Sequence, residues 1–164
     1  ISADNGIVHV VDAVIGLPSV VTFAVADPTF STLVAALTRD DLTTDFVGVL
    51  STATGTSPAP FTVFAPTNDA FGSLLSELGI AGLADIDEPT LDAVLKNHVV
   101  AGANVLDTDL TDDMTVTTLG GDITANVTGG ATLTDSSGRV SDIIATNIQA
   151  NNGIIHAINK VILP

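Results

Sequence analysis

Residues 61–71, FTVFAPTNDAF, decide the fold of this chain because a strand, a turn and a helix start follow one another within them. Phe61–Ala65 is apolar or β-branched throughout, which predicts a short buried strand, and the following proline ends it because proline has no N–H for the sheet ladder. Thr67, Asn68 and Asp69 carry the side-chain oxygens that accept hydrogen bonds from the free amides of a helix start. We therefore expect these three polar residues to lock the turn between strand and helix.

The rest of the chain has the pattern of helices first and strands later. A helix in two pieces is predicted over Val20–Leu37, because Asp27 supplies an N-cap and Pro28 suits the first helical position of the second piece. A further helix begins near Asp87 and carries His98 on its apolar side. Turn residues then separate short apolar segments that predict strands: Met114–Leu119, Ile123–Val127, Ala131–Thr134, Ile143–Asn147 and Ile154–Leu163. Helices followed by strands indicate an α+β domain with segregated layers.

The composition excludes several classes of function. The chain has 164 residues, which fits one domain, and no cysteine, which excludes disulfides, thiolate metal sites and cysteine nucleophiles. Four basic residues face 19 acidic ones, and the net charge of −15 repels phosphate backbones, so nucleic-acid binding is not expected. No apolar run approaches the roughly 20 residues that a membrane span needs, so no membrane insertion is expected.

An internal repeat relates the two ends of the chain. Residues 1–15, ISADNGIVHVVDAVI, and residues 148–162, IQANNGIIHAINKVI, match at eight of 15 positions without a gap. The repeat predicts that residues 1–18 are the tail of a preceding domain copy or an inter-domain linker, and that residues 19–164 form one complete domain. Residues 7–15 are so apolar that we expect them to pack on protein, either along their own domain or by adding to a neighbouring chain's sheet in a homophilic contact.

Three segments, in order, resemble the fasciclin (FAS1) domain family. Residues 61–71 are similar to the family's first signature block, residues 95–102 (LKNHVVAG) to its central histidine block, and residues 152–164 (NGIIHAINKVILP) to its closing block. The resemblance implies a FAS1-type β-wedge or sandwich with several short helices packed at one side. It implies that residues 1–18 are the tail of a preceding FAS1 repeat. It also implies a non-catalytic adhesion module, since the family occurs, often in tandem, in extracellular matrix, cell-surface and biofilm-associated proteins.

Polar residues within these blocks are the candidates for a functional or structural role. His98 and His156 each lie among apolar residues, where a histidine is more often a hydrogen-bonded core residue than a metal ligand, since a metal site needs further ligands. We interpret both histidines and the remaining motif residues as holding the fold: Thr67, Asn68, Asp69, Asn152 and Gly153. No catalytic residue, cofactor or metal ligand is therefore expected.

Two other stretches are candidates for contacts with partners or ions. Animal FAS1 domains linked to integrin binding carry an Asp-Ile motif just before the closing block, where this chain has Asn147, Ile148 and Gln149 without the acid. These three are candidate interaction residues, although an integrin-type role is not expected of them. Asp107–Asp113, DTDLTDD, is similar to a loose calcium loop but lacks the glycine and glutamate that an EF-hand loop uses, so a solvated turn is expected.

The expected function is that of an adhesion or protein-interaction domain in a secreted or cell-surface protein whose export signal lies outside this sequence. Its partners would be other proteins or matrix components. The alternative is a domain that binds a small ligand, a glycan or a lipid, in a pocket between helices and sheet. The absence of tryptophan and tyrosine weakens the glycan version, because sugar sites commonly stack on aromatic rings. A hydrolase would need a histidine and a carboxylate that converge in a cleft.

Overall fold

The computed structural model describes Ser2–Ala3, Gly6–Ile7, Val10 and residues 16–164. Near the N-terminus, strand β1 (Ser2–Ala3) pairs antiparallel with strand β2 (Gly6–Ile7). The prediction that residues 7–15 pack against protein falls largely outside the described residues and stays a prediction.

Five short helices lie in the described part of the chain: α1 (Val20–Ala26), α2 (Ser31–Leu37), α3 (Phe46–Leu50), α4 (Asn68–Leu78) and α5 (Glu88–Lys96). The predicted two-piece helix is confirmed, because a 3-10 turn over Pro28–Phe30 separates α1 from α2 and the Asp27 side chain accepts from the amide of Thr29. α3 is absent from the prediction because five residues are too few to display a helical period. Among the described residues, no single helix has both the length and the apolar character to cross a bilayer. Only Val20–Ala26 and Pro28–Leu37 taken together, with a 96° bend between them, meet both requirements.

Seven strands form one mixed sheet: β3 (Phe61–Pro66), β4 (Val99–Ala101), β5 (Met114–Thr117), β6 (Asp122–Asn126), β7 (Thr132–Thr134), β8 (Val140–Ala150) and β9 (Gly153–Ile158). Their order is β4-β3-β9-β8-β7-β6-β5, with β3 and β9 parallel and the other neighbours antiparallel. The amide of Leu119, just after β5, donates to the carbonyl of Val99 in β4. The two edges of the sheet therefore meet at this point, and the sheet is rolled rather than flat.

Two apolar cores lie on opposite faces of the rolled sheet. The first core lies between the helices and one face of β3, β4 and β9, and includes Phe71, Leu91 and Ile155. The second core lies inside the roll and takes residues from all seven strands, among them Phe64 and Ile158. Because both faces are covered, every residue of β3 and β9 is buried.

The bounds of β5, β6 and β7 differ from the predicted ones by one or two residues, and three larger differences concern β9, β8 and β4. β9 ends at Ile158 rather than Leu163, because the next residues leave the ladder and Lys160 exchanges its backbone hydrogen bonds with the side chain of Ser141. β8 is longer at both ends than the predicted Ile143–Asn147. The prediction missed the added residues because most of them are polar or exposed and form no apolar pattern. β4 was not predicted. It begins so soon after the end of α5 that its apolar residues look like a continuation of the apolar pattern of the helix.

Candidate functional site

The turn after β3 is held by the residue that precedes α4. The Thr67 hydroxyl caps α4 by accepting a hydrogen bond from the amide of Ala70 at 3.3 Å. Asp69 is exposed in the first turn of α4, where its charge complements the positive end of the helix dipole.

Asn68 acts on a different helix from the one it belongs to. Its Oδ1 accepts from the Thr32 amide at 2.9 Å, and its Nδ2 donates to the Pro28 carbonyl at 2.9 Å. The expectation that Asn68 satisfies amides of its own helix is therefore wrong, because the side chain caps the start of α2 instead. Phe30, the residue that flanks α2, offers no capping side chain of its own.

Replacing Asn68 with alanine is expected to lower the free energy of unfolding by about 1 kcal/mol or more, the usual cost of losing a helix cap. The measurement is the urea unfolding midpoint of both proteins. Ser73→Ala is the matched control, because Ser73 is an exposed residue of the same helix, and we expect it to change stability by less than about 0.5 kcal/mol. An unchanged midpoint for Asn68→Ala would show that the α2 cap contributes nothing.

Asn152 joins three parts of the domain through one buried side chain, which is 2% exposed. Its Oδ1 accepts from the amide of Val20, at the start of α1, at 3.0 Å. Its Nδ2 donates to the carbonyls of Leu50 and Thr52, at the end of α3, at 2.8 and 2.9 Å. The side chain therefore ties α1 and α3 to the turn that enters β9.

Gly153 lies where β9 passes closest to β3. A Cβ atom at this position would lie 2.3 Å from the carbonyl oxygen of Phe61, which is shorter than any normal contact. The neighbouring atoms are backbone, so a side chain here would separate the two central strands. The glycine is required by close approach rather than by backbone conformation.

His98 links α5 to the C-terminal segment and is 2% exposed. Its Nδ1 lies 2.7 Å from the Val94 carbonyl and its Nε2 lies 3.0 Å from the amide of Ile162. A carbonyl can only accept and an amide can only donate, so the ring is neutral with its proton on Nδ1. Burial lowers the pKa of His98 to about 4, although the bond to the Val94 carbonyl acts in the opposite direction.

His156 lies on β9, inside the roll, with no exposed surface. Its Nε2 lies 2.8 Å from the Val105 carbonyl, and its ring stacks on Phe64 with centroids 5.6 Å apart. The Nδ1 atom is buried and has no hydrogen-bond partner among the described residues. Burial lowers the pKa of His156, with the Val105 carbonyl and the charge of Asp107 opposing the shift. In the part of the chain that the structure describes, neither His98 nor His156 hydrogen-bonds to a carboxylate.

The three candidate interaction residues differ in how much of each is available to a partner. Asn147 has a φ of 55° at an irregular point of β8, and its side chain accepts from the Asp107 amide at 3.0 Å and donates to the Asp107 carboxylate at 2.6 Å. Ile148 is half-buried and packs against the first core. Gln149 is exposed. A partner could therefore contact Gln149 directly, whereas the other two already serve the fold.

The acidic stretch Asp107–Asp113 uses several of its carboxylates in internal hydrogen bonds. Hydrogen bonds from Asn147 and Thr146 lower the pKa of Asp107. Asp112 accepts from the amides of residues 127 and 128 at 2.7 and 2.8 Å, at the turn after β6. Within residues 16–164 and the described N-terminal positions, no three histidine or carboxylate side chains are grouped to hold a metal ion.

Sequence reasoning missed two buried polar residues that hold long segments in place. Asp135 accepts from the amides of Ser137 and Arg139 and also from the amide of Leu163, at 3.0 Å, so it fastens the C-terminal segment. The Thr62 hydroxyl, within the apolar run of β3, binds the loop that follows β4. The Asp-Ser-Ser-Gly turn is a signal for the local bonds of Asp135, but nothing in the sequence indicates its contact with residue 163.

Gly120 lies where the two edges of the sheet meet, next to Asn97 of the central histidine block. A Cβ atom on Gly120 would lie 2.2 Å from Oδ1 and 2.8 Å from the backbone nitrogen of Asn97, and Asn97 is itself buried. Gly120→Ala is therefore expected to lower the free energy of unfolding by about 2 kcal/mol, a typical cost of overpacking. Thermal unfolding measures the change. Gly72→Ala is the control, because a Cβ there meets nothing within 4 Å, and equal losses in the two variants would contradict the steric argument.

The model of the Fasciclin domain family matches residues 28–164, which include all three signature blocks. The chain belongs to the fasciclin (FAS1) domain family. This FAS1 domain is 39% identical over 148 residues to the Synechocystis protein sll1735, covering 90% of this chain and 98% of that protein. It is 28% identical over 164 residues to Homo sapiens periostin, covering 99% of this chain and 18% of periostin.

A solved structure of a FAS1 domain pair from the insect cell adhesion molecule Fasciclin I is similar in fold. It matches with a TM-score of 0.67 at 17% sequence identity and covers all of this chain and 57% of that chain. The predicted α+β fold of the FAS1 type is therefore confirmed. The assignment of residues 1–18 to a preceding FAS1 repeat stays a prediction.

Proposed function

We propose that this FAS1 domain is a non-catalytic protein-interaction module that acts in adhesion, at the cell surface or outside the cell. The single observation that carries the proposal is the state of the two signature histidines, which are buried and hydrogen-bonded to backbone atoms. A general base must reach a substrate, and both rings are enclosed by the cores. The signature blocks therefore stabilise the fold, and a partner would bind the exposed surface of the domain. Family membership, and the similar fold of a cell adhesion molecule, support the same function.

The charge of the surface limits the partners that it suits. Three of the four basic residues already pair with carboxylates: Arg39 with Asp41, Lys96 with Asp92, and Arg139 with Glu77. The net charge of −15 is thus carried by an acidic surface with little free positive charge. Proteins or matrix components with basic patches are the partners that such a surface attracts, and nucleic acids are repelled.

The test is adhesion of beads that carry the domain. Fluorescent beads coated with the full chain are allowed to settle on surfaces coated with purified extracellular matrix proteins, and on a surface coated with the same chain. Beads coated with serum albumin, which is also acidic, are the control for charge. We expect retention of the domain-coated beads on at least one surface, weakened by salt because exposed charges are screened. Retention equal to that of albumin beads on every surface would refute adhesion.

A small-ligand domain is the second candidate, and one cavity favours it. This cavity, of about 240 Å³, lies between α4, α5 and the C-terminal residues, with Leu78 half exposed and with Thr90 and Ser137 as its polar groups. A second, wholly apolar cleft beneath α1 and α2 encloses only about 40 Å³, far below the ~300–1,000 Å³ of typical ligand pockets. The first cavity also lies below that range, at about 240 Å³, and has room only for a short acyl chain.

Thermal unfolding with and without a medium-chain fatty acid separates the two candidates. A small-ligand domain would gain several degrees in its melting temperature, because a ligand that binds only the folded state stabilises it. Leu78→Glu, which puts a negative charge beside the cavity, would abolish that gain. For an interaction module we expect no shift for either protein.

A further inference from the structure

The N-terminal hairpin repeats the strand pairing of the hairpin that closes the domain. The two hairpins place equivalent residues opposite each other: Ser2–Ile7 and Ala3–Gly6 in β1–β2, and Gln149–Ile154 and Ala150–Gly153 in β8–β9. The alignment of residues 1–15 with residues 148–162 maps each pair onto its counterpart. The repeat in sequence is therefore also a repeat in register.

The place that β8–β9 occupies makes strict demands on the closing block. We call this place the closing slot and define it by its contacts with β3, α1 and α3. It needs a side-chain amide at Asn152 for the bonds to α1 and α3, and it needs a glycine at 153 because the carbonyl of Phe61 lies against it. It also receives the ring of His156 against the Val105 carbonyl.

The first copy carries the residues that the closing slot demands. At the positions equivalent to Asn152, Gly153 and His156, its sequence has the same residue types: Asn5, Gly6 and His9. These three positions are among the eight identities of the repeat. A segment that only linked two domains would not require an asparagine, a glycine directly after it and a histidine three residues after the glycine.

Where the two copies differ inside the closing slot, their side-chain volumes balance. The buried positions Ile155, Ala157 and Ile158 are all valine in the first copy, at Val8, Val10 and Val11. The two isoleucine positions each lose one carbon and the alanine position gains two, so the number of packed carbons is unchanged. Volume-conserving exchanges of this kind are the best tolerated in a core.

At Val10, the first copy lacks the cover that the second copy has. Val10 is 80% exposed, whereas its counterpart Ala157 is 5% exposed. The closing slot of this domain is already filled by β8–β9.

We propose that residues 1–17 are a second closing hairpin, built to fill the closing slot of another FAS1 core. The inference rests on the proposed interaction function and names one partner for it, a FAS1 core that supplies the equivalents of β3, α1 and α3. Recognition uses backbone pairing along the β3 equivalent, one hydrogen bond accepted and two donated by the side-chain amide of Asn5, and close passage of Gly6 over the partner strand.

A graft in the full chain tests the proposal. Residues 148–162 are replaced by the sequence of residues 1–15, so that the first copy must fill the closing slot of this domain. We expect the grafted chain to unfold in one cooperative thermal transition, with a midpoint within about 10 °C of the wild type, because the packed volume is conserved. Residues 155–162 replaced by a shuffled sequence of the same composition serve as the control for fit, and we expect that chain to lose the transition.

Gly153→Val in the grafted chain checks that the graft lies in the closing slot. We expect it to abolish the transition in the grafted chain and in the wild type alike, because the added side chain meets the Phe61 carbonyl. A graft without a cooperative transition, or one that tolerates Gly153→Val, would overturn the proposal. Such a failure would leave the adhesion of wild-type beads unchanged, so it is distinguishable from failure of the proposed function.

Discussion

Asn152→Ala is expected to lower the free energy of unfolding by about 3 kcal/mol or more. The substitution removes three hydrogen bonds and leaves the amide of Val20 and the carbonyls of Leu50 and Thr52 without their partner. A buried polar group left unpaired costs about 1–3 kcal/mol. Three groups lose their partner here, so the loss of stability stays large even if water reaches some of them. Urea unfolding monitored by circular dichroism gives the difference.

Asn151→Ala is the matched control for this experiment. Asn151 is the exposed neighbour of Asn152, and its contacts with Pro18 and Thr54 use the backbone, so the substitution keeps both of them. We expect its stability to stay within about 0.5 kcal/mol of the wild type. Two variants of equal stability would mean that the bridge between α1, α3 and β9 is dispensable.

Acidification from pH 7 to pH 4 is expected to cost the domain about 3 kcal/mol through His98 alone. Its pKa is about 4 in the folded state and 6.5 in the reference state, so the unfolded chain binds the proton more tightly. A histidine with a lowered pKa stabilises the fold above pH 6.5, and this contribution is lost as the pH falls from 6.5 towards 4. The physical reason is that protonation would point an N–H of the ring at the amide of Ile162.

The measurement is the free energy of unfolding at half-unit steps between pH 7 and pH 4.5. This range lies above the reference pKa of 3.8 for aspartate, so the lowered pKa values of Asp41, Asp92, Asp107 and Asp112 cost little within it. His156 contributes in the same direction as His98, because burial also lowers its pKa. His98→Gln is therefore needed as the comparison. Its unfolding energy should fall less steeply with pH, and equal slopes in both proteins would contradict the assignment.

The sequence predicted those parts of the fold that depend on neighbours along the chain. The strand at Phe61, the cap at Thr67 and the break at Asp27 each follow from residues within one turn or one strand, and each is confirmed. The family blocks then supplied the overall architecture, because three ordered motifs are specific even where local patterns are weak. The α+β arrangement therefore follows from the amino-acid sequence alone.

The sequence could not predict contacts between residues far apart in the chain. Asn68 has the residue type of a helix cap, but only the packing of α2 against α4 reveals which helix it caps. Asn152 likewise has no local signal for its contacts with Val20 and Leu50, which lie more than 100 residues away. The closure of the roll at Gly120 depends on how closely the β4 and β5 edges of the sheet approach each other. The pattern of apolar residues along the sequence gives no information on that distance. These long-range hydrogen bonds make up most of the candidate site.

The position of β9 has a consequence for synthesis of the protein. This strand is central in the sheet, parallel to β3, yet it follows all the other strands of the domain in chain order. Until it leaves the ribosome, β3 has a free edge and the helices lack part of the surface on which they pack. Such non-local pairing slows folding and keeps apolar surface exposed while it is incomplete. The domain can therefore complete its fold only once residue 158 has emerged, and a nascent chain that stalls before residue 153 cannot form a stable domain.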